Sequence, residues 1–155
     1  MKYSRLTKEQ FEELHKEFIN FLATQSITAE EWATIKQKKP EVAEQELDVF
    51  SDLVWEGVLN RAKYLEHISE KQMHLFSLRA SDIHVIAVTI KGEIDLTTED
   101  GFQWLRENLM DENVEFLQAS KSYSEDKNLD NFKLIEQGAV ITKGELYNFF
   151  DKLIN

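Results

Sequence analysis

The sequence contains no cysteine, one proline and five glycines among its 155 residues. Without cysteine the chain cannot form disulfides, thiolate zinc sites or cysteine-ligated iron–sulfur clusters, and it has no cysteine nucleophile. The glycines, at positions 57, 92, 101, 138 and 144, form no G-x-G-x-x-G turn, and no phosphate-binding loop is present. Several common classes of cofactor site are therefore excluded, and we expect no cofactor.

Basic residues are also scarce, since 18 lysines and arginines stand against 29 acids and the net charge is −11. Binding to nucleic acid through phosphates needs clustered Lys and Arg, so we expect no direct nucleic-acid binding. The longest apolar run, around residues 85–88, is far shorter than the ~20 residues of a membrane span. Charged residues from Lys8 onward interrupt any signal-peptide core. These features predict a cytoplasmic protein without membrane contact.

Three threonines predict helix starts. Thr7, Thr28 and Thr142 are each followed three residues later by Gln or Glu and are flanked by apolar residues, which is the pattern of a capping box with a hydrophobic staple. This pattern predicts helices over about residues 8–23, 29–38 and 143–154. Pro40 favours the first position of a further helix that ends near Asn60.

The middle of the chain changes character. Residues 73–78 and 83–90 are β-branched or aromatic runs around a polar turn, and they predict a hairpin with Leu78 opposite Ile83. Residues 64–68 and 93–96 predict further strands of an antiparallel meander of three or four.

The C-terminal part returns to helix. Thr97 is predicted to cap a helix whose inner face carries Phe102, Leu105 and Leu109. Residues 129–137 are predicted to form a further helix, which stops at Gly138. The secondary structure of residues 111–128 remains open. The apolar residues at the start of this segment suit a strand or a helix, and the residues from 120 onward are predicted to form a polar loop. The predicted fold is therefore a single α+β domain, with N-terminal helices, a small central antiparallel β-meander and C-terminal helices. The last helix is apolar over more than half its circumference, which favours burial but leaves homo-oligomer contacts possible.

Histidine is the residue type most suited to a chemical site in this chain. Because strand side chains alternate, His74 and His84 are expected on opposite faces of the hairpin, and position 74 should pair near residue 87 or 88. The two imidazoles would then lie ~10 Å apart along the strand, whereas zinc needs both within about 2.1 Å. No metal site is predicted, and the alternative is a ligand site of His67, His74 or His84 with carboxylates in a cleft beside the sheet.

Charge placement offers a second candidate site. Glu44, Asp48, Asp52 and Glu56 recur every four residues and form one row on the predicted helix. We call this row the acidic stripe. Three like-charge pairs at this spacing cost the helix about 1 kcal/mol in total. The stripe is either a solvated face or a docking surface for a protein with a basic surface.

Several segments carry a family resemblance. Residues 6–10 (LTKEQ), 27–32 (ITAEEW) and 46–56 (ELDVFSDLVWE) resemble an uncharacterised family of small acidic bacterial cytoplasmic proteins, and the likeness continues through residues 134–139 and 143–146. The resemblance implies a bacterial, intracellular, single-domain protein. That family has no assigned activity, so the resemblance transfers no catalytic residue.

Two functional hypotheses follow. The first is a non-enzymatic cytoplasmic adaptor or regulator that uses the acidic stripe to bind a basic surface of a larger assembly. The second is a small enzyme or ligand-binding domain with a histidine and carboxylate site beside the sheet. We favour the first, because no catalytic constellation in the sequence passes its geometric test.

Overall fold

The computed structural model describes residues 1–155, which form two compact units, Met1–Asn60 and Arg61–Asn155. The first unit is helical, with α1 (Lys8–Glu13), α2 (His15–Thr24), α3 (Ala29–Lys38) and α4 (Pro40–Arg61), whose last residue belongs to the second unit. The second unit contains β1 (Tyr64–Ile68), β2 (Gln72–Leu78), β3 (Asp82–Ile90), α5 (Glu99–Glu107), β4 (Val114–Ser122), α6 (Lys127–Glu136), β5 (Val140–Thr142) and α7 (Glu145–Ile154). The α+β class predicted from the sequence is confirmed.

Local capping fixes the starts of the N-terminal helices. Thr7 and Gln10 form the complete predicted capping box, because the Thr7 hydroxyl accepts from the Gln10 N–H at 3.2 Å and the Gln10 side chain accepts from the Thr7 N–H at 2.8 Å. Thr28 caps α3 by accepting from the Glu31 N–H at 3.1 Å. The predicted helix over residues 8–23 is divided at Leu14 into α1 and α2.

An aromatic cluster forms the core of the first unit. The rings of Phe18 and Phe50 meet edge to face with centroids 5.0 Å apart, and Trp32 lies 5.3 Å from Phe18. The hydroxyl of Ser51, which is fully buried, accepts from the Leu6 N–H at 3.1 Å and donates to the Leu47 carbonyl at 2.7 Å. The bond from Leu6 fastens the chain before α1 onto α4.

The sheet of the second unit has five antiparallel strands in the order β4-β3-β2-β1-β5. The predicted hairpin is confirmed with Leu78 opposite Ile83, and the strand predicted over residues 64–68 is β1. The prediction of a strand over residues 93–96 is wrong. That segment instead bonds to the β1–β2 turn, because Leu96 N–H donates to the Glu70 carbonyl at 2.8 Å and Lys71 Nζ donates to the Ile94 carbonyl at 2.6 Å.

Helices cover the two faces of the sheet unequally. Helices α5 and α7 pack on the inner face, which carries the fully buried side chains of Met73, Leu75, Ile86 and Val88. Helix α6 covers part of the outer face through Leu134 and Ile135, against Leu65, Leu78 and Ile83 among others. The inner face therefore holds the main core of this unit.

Three predicted helix boundaries are corrected. Thr98 caps α5 in place of Thr97, since its hydroxyl accepts from the Gly101 N–H at 3.0 Å. Leu109 lies beyond the end of α5. Thr142 caps no helix, because it pairs with Tyr64 at the end of β5 and Gly144, at φ +83°, is the residue before α7.

The open segment over residues 111–128 is also settled. It contains β4, which extends to Ser122 through part of the predicted polar loop, because each of its residues pairs with β3. Helix α6 ends as predicted: Gly138, at φ +117°, supplies the left-handed conformation that follows a helix C-terminus.

Candidate functional site: an acidic stripe and a pocket beside the sheet

The acidic stripe on α4 is paired with residues near the start of the chain. Arg5 reaches two of its members, with 2.6 Å from its guanidinium to Glu44 and 2.6 Å to Asp48. The Asp52 carboxylate accepts from the backbone N–H groups of Lys2 and Tyr3 at 2.7 and 2.9 Å.

The fourth member of the stripe is paired as well. The Lys2 ammonium lies 3.7 Å from Glu56, and the Tyr3 hydroxyl donates a hydrogen bond to Glu56. Burial and this hydrogen bond raise the pKa of Tyr3 to about 12, so its phenol remains a donor at neutral pH. Each acidic residue of the stripe therefore contacts a basic or donor group of residues 2–5, which we call the N-terminal segment.

The histidines predicted as an alternative site fall on both sheet faces. His67 and His74 are directly opposite each other on β1 and β2, on the outer face. Position 74 pairs with Ala87, as the hairpin register predicts. His84 lies on the inner face, where its Nδ1 is 2.6 Å from the Tyr147 hydroxyl in a buried contact. Strand alternation therefore separates His84 from the other two.

The pair of histidines on the outer face is partly buried. Burial, together with the charge of neighbouring His67, lowers the pKa of His74. The His67 ring lies against Gly138, where a side-chain carbon would come within 2.9 Å of Nε2. The structure contains no group of three His, Asp or Glu residues that could hold a metal ion. His67 therefore packs against the turn that follows α6, and the His74 ring stacks on that of Phe76 with centroids 6.3 Å apart.

A pocket of about 580 Å³ opens on the inner side of the second unit, between α5, α7 and the edge formed by β1 and β5. Its apolar lining comes from both helices: Phe102, Leu105, Leu146, Phe149 and Phe150. Phe149 is 47% exposed, so an aromatic ring stands open at the pocket wall. This volume falls within the range of small-molecule sites, which are mostly apolar with a few polar groups.

Charged groups at the pocket differ in their burial. Glu66 projects from β1 and is partly buried, whereas Arg106, Lys143 and Glu145 are exposed at the rim. Burial raises the pKa of Glu66, and its carboxylate forms no ion pair with a basic side chain. A partly buried carboxylate without a cation is an incomplete electrostatic arrangement, which a positively charged ligand group would complete.

Sequence reasoning did not identify this pocket. Glu66 stands in an alternating strand whose neighbour His67 drew attention instead, and the pleat sends the two side chains to opposite faces. Lys143 and Phe149 follow β5, a strand of three residues that the sequence did not indicate. The one available signal for the pocket was the high apolar content of the last helix. A helix that is apolar over so much of its circumference still exposes apolar side chains after one side packs on the core.

The fold and the pocket define a small α+β protein with an antiparallel five-stranded sheet and a candidate ligand site against its inner face. The chain belongs to a family of unknown function, DUF6495, whose profile matches residues 1–155. Neither a curated protein nor a solved structure matches the chain significantly. No helix is both long enough and apolar enough to cross a membrane.

Proposed function

We propose that this protein is a binding protein and not an enzyme, and that the pocket lined by Phe102, Phe149 and Glu66 receives a small molecule with an apolar body and a protonated amine. The partly buried Glu66 carboxylate, which has no cationic partner, is the observation that carries this proposal. The aromatic walls would contact the apolar body of the ligand and its amine would pair with Glu66.

The two cations at the rim do not require an anionic ligand. Arg106 and Lys143 are exposed, and long basic side chains keep their charged ends in water without needing a partner. Glu66 cannot move its carboxylate into solvent as readily, because its side chain is shorter and is partly buried. The group that most needs a ligand is therefore the carboxylate, and this selects a cationic ligand over an anionic one.

Thermal-shift and NMR titrations with phenethylamine and with phenylacetate test the proposal on the full chain. Phenethylamine is expected to bind and to shift resonances of Phe102 and Phe149. Glu66→Gln should weaken this binding about tenfold or more, because the charge-assisted contact is lost. Glu145→Gln is the matched control at the rim and should change binding little. Binding of phenylacetate alone, or equal amine affinity in Glu66→Gln, would contradict the proposal.

Docking of a cytoplasmic protein partner to the acidic stripe is a second candidate. Its support is the N-terminal segment itself, because the lysine and arginine of this segment form ion pairs with the stripe. Val49 and Leu53 on the same helix are 50% and 56% exposed and could add apolar contact. An adaptor or regulator of this kind would have to displace the N-terminal segment in order to bind.

A synthetic peptide with the sequence of residues 1–6, labelled with a fluorophore, tests this second candidate. The peptide should bind a Lys2→Ala, Arg5→Ala variant more tightly than the natural chain, since the variant's own segment competes less. Reversing the charge of Glu44, Asp48, Asp52 and Glu56 to Lys should abolish binding, and added salt should weaken it. If the affinity for the peptide is the same in all of these variants and at high salt, the stripe is excluded as a docking site.

A further inference from the structure

The edge strand β4 has open hydrogen-bonding groups along most of its length. Lys91 N–H donates to the Asn113 carbonyl, which fixes the odd-numbered residues of β4 as those bonded to β3. The N–H and C=O groups of Phe116, Gln118 and Ser120 therefore point away from the sheet. Such a row of unpaired groups is a template for another strand.

The strand is neither short nor interrupted by a bulge or a proline, which are features that normally block an edge. It pairs with β3 over nine residues in unbroken register, and it has neither proline nor glycine. Leu117, near its middle, is 62% exposed on the outer face. The opposite edge is different, because β5 has only three residues.

The Gln118 side chain is held away from this edge by the residue that follows α7. The Gln118 amide exchanges two hydrogen bonds with the Asn155 side chain, at 3.0 and 3.1 Å, over the inner face of the sheet. The backbone at the centre of β4 is therefore not covered by its own side chain.

The sequence of β4 is complementary to itself. When two copies run antiparallel about Gln118, Val114 meets Ser122 and all nine residues are paired. Glu115 then faces Lys121 of the partner subunit, and Leu117 faces Ala119 of the partner subunit. This register also aligns the outward hydrogen-bonding groups of both strands, because even-numbered residues face even-numbered residues. A shift of two residues would separate the opposite charges and leave two residues of each strand unpaired.

We infer that two copies of this chain pair through β4, in antiparallel register about Gln118, to make one continuous ten-stranded sheet. Cross-strand ion pairs and apolar pairs contribute to such an interface, and like charges in the same positions oppose it. Each chain has a net charge of −11, but at physiological ionic strength charges separated by more than ~8 Å are largely screened. The inference is independent of the ligand proposed for the pocket.

Charge reversal across the interface tests the inference. Sedimentation velocity of the natural chain at micromolar concentration and physiological salt should give twice the chain mass. Glu115→Lys and Lys121→Glu each place like charges opposite each other and should weaken dimerisation about tenfold, since two pairs are reversed in each dimer. The double variant, and an equimolar mixture of the two single variants, should dimerise like the natural chain because opposite charges face each other again.

Two controls separate pairing from folding. Thermal unfolding of each variant shows whether the charge change disturbs the chain itself, for example through the Glu115 ion pair with Lys91 at 2.8 Å. Gln118→Pro removes an N–H that points away from β3, so it should block pairing while β4 stays in its own sheet. A natural chain that is monomeric at every concentration, or single variants that dimerise as tightly as the natural chain, would overturn the inference.

Discussion

The guanidinium of Arg5 lies 2.6 Å from the carboxylate of Asp48, across 43 positions of sequence. The same side chain also reaches Glu44, so one arginine joins two neighbouring members of the acidic stripe. A row of like charges that the sequence presents as a cost to the helix is thereby opposed by cations from another part of the chain. The contact turns a repulsive helix face into an attachment surface for the N-terminal segment.

Arg5→Ala is expected to destabilise the protein by about 1 kcal/mol, because it removes a forked contact and restores the repulsion within the stripe. Chemical denaturation measures this change. Lys16→Ala removes an exposed cation from α2 and should have little effect. If Arg5→Ala is as stable as the natural chain, the contact does not hold the segment in place.

Gly144→Ala is expected to destabilise the protein by more than about 2 kcal/mol, because it combines a strained backbone with a steric clash. The residue has φ +83°, and a side-chain carbon there would overlap the ring of Tyr64. Gly92→Ala is the matched control: it has φ +102° but open space around it, so it isolates the backbone strain. If the two variants lose the same unfolding free energy, the Tyr64 ring moves aside without destabilising the protein.

Glu66→Gln is expected to make the protein more stable at neutral pH, without added ligand. Because burial raises the pKa of Glu66 in the folded state, ionisation of this carboxyl disfavours folding, and the natural chain loses stability as pH rises above the ordinary glutamate range. The advantage of Glu66→Gln should therefore disappear below that range, where both side chains are neutral. Thermal unfolding over pH, with Glu145→Gln as control, checks this dependence.

His74→Gln is expected to reduce the loss of stability on mild acidification. Because the pKa of His74 is lowered in the folded state, the unfolded chain takes up its proton first, and stability falls as pH drops below the ordinary histidine pKa. The unfolding midpoint of His74→Gln should therefore fall less than that of the natural chain between pH about 7.5 and about 5.5. The exposed residue His15 provides the control, since His15→Gln should leave the difference unchanged.

Much of the local structure could be predicted from the sequence. Thr7 and Gln10 define a helix start because their side chains satisfy backbone donors three residues apart. The run from Tyr64 to Ile90 carries the alternation that set β1, β2, β3 and the opposite faces of His74 and His84. Neighbouring residues carry these signals, so no knowledge of the rest of the fold is needed.

The candidate sites were less accessible to such reasoning. The acidic stripe was recognised from its spacing, but its partners Lys2 and Arg5 were not, because nothing in a helical period indicates which distant segment will lie across it. Glu66 was passed over because a strand pattern does not indicate which distant segments will surround one of its residues. The pocket around Glu66 is completed by α5 and by β5. Strand β5 pairs with β1 although the two are far apart in the sequence.

By itself, the sequence determined the α+β class, the start of α4 at Pro40, the hairpin register and the surplus of negative charge, because backbone sterics, periodicity and composition act over a few residues. Only the tertiary structure decided that the stripe is met by Arg5, that His84 bonds to Tyr147, and that β4 forms an open edge. These outcomes depend on which distant segments pack together, and that is set by the burial of apolar surface over the whole chain.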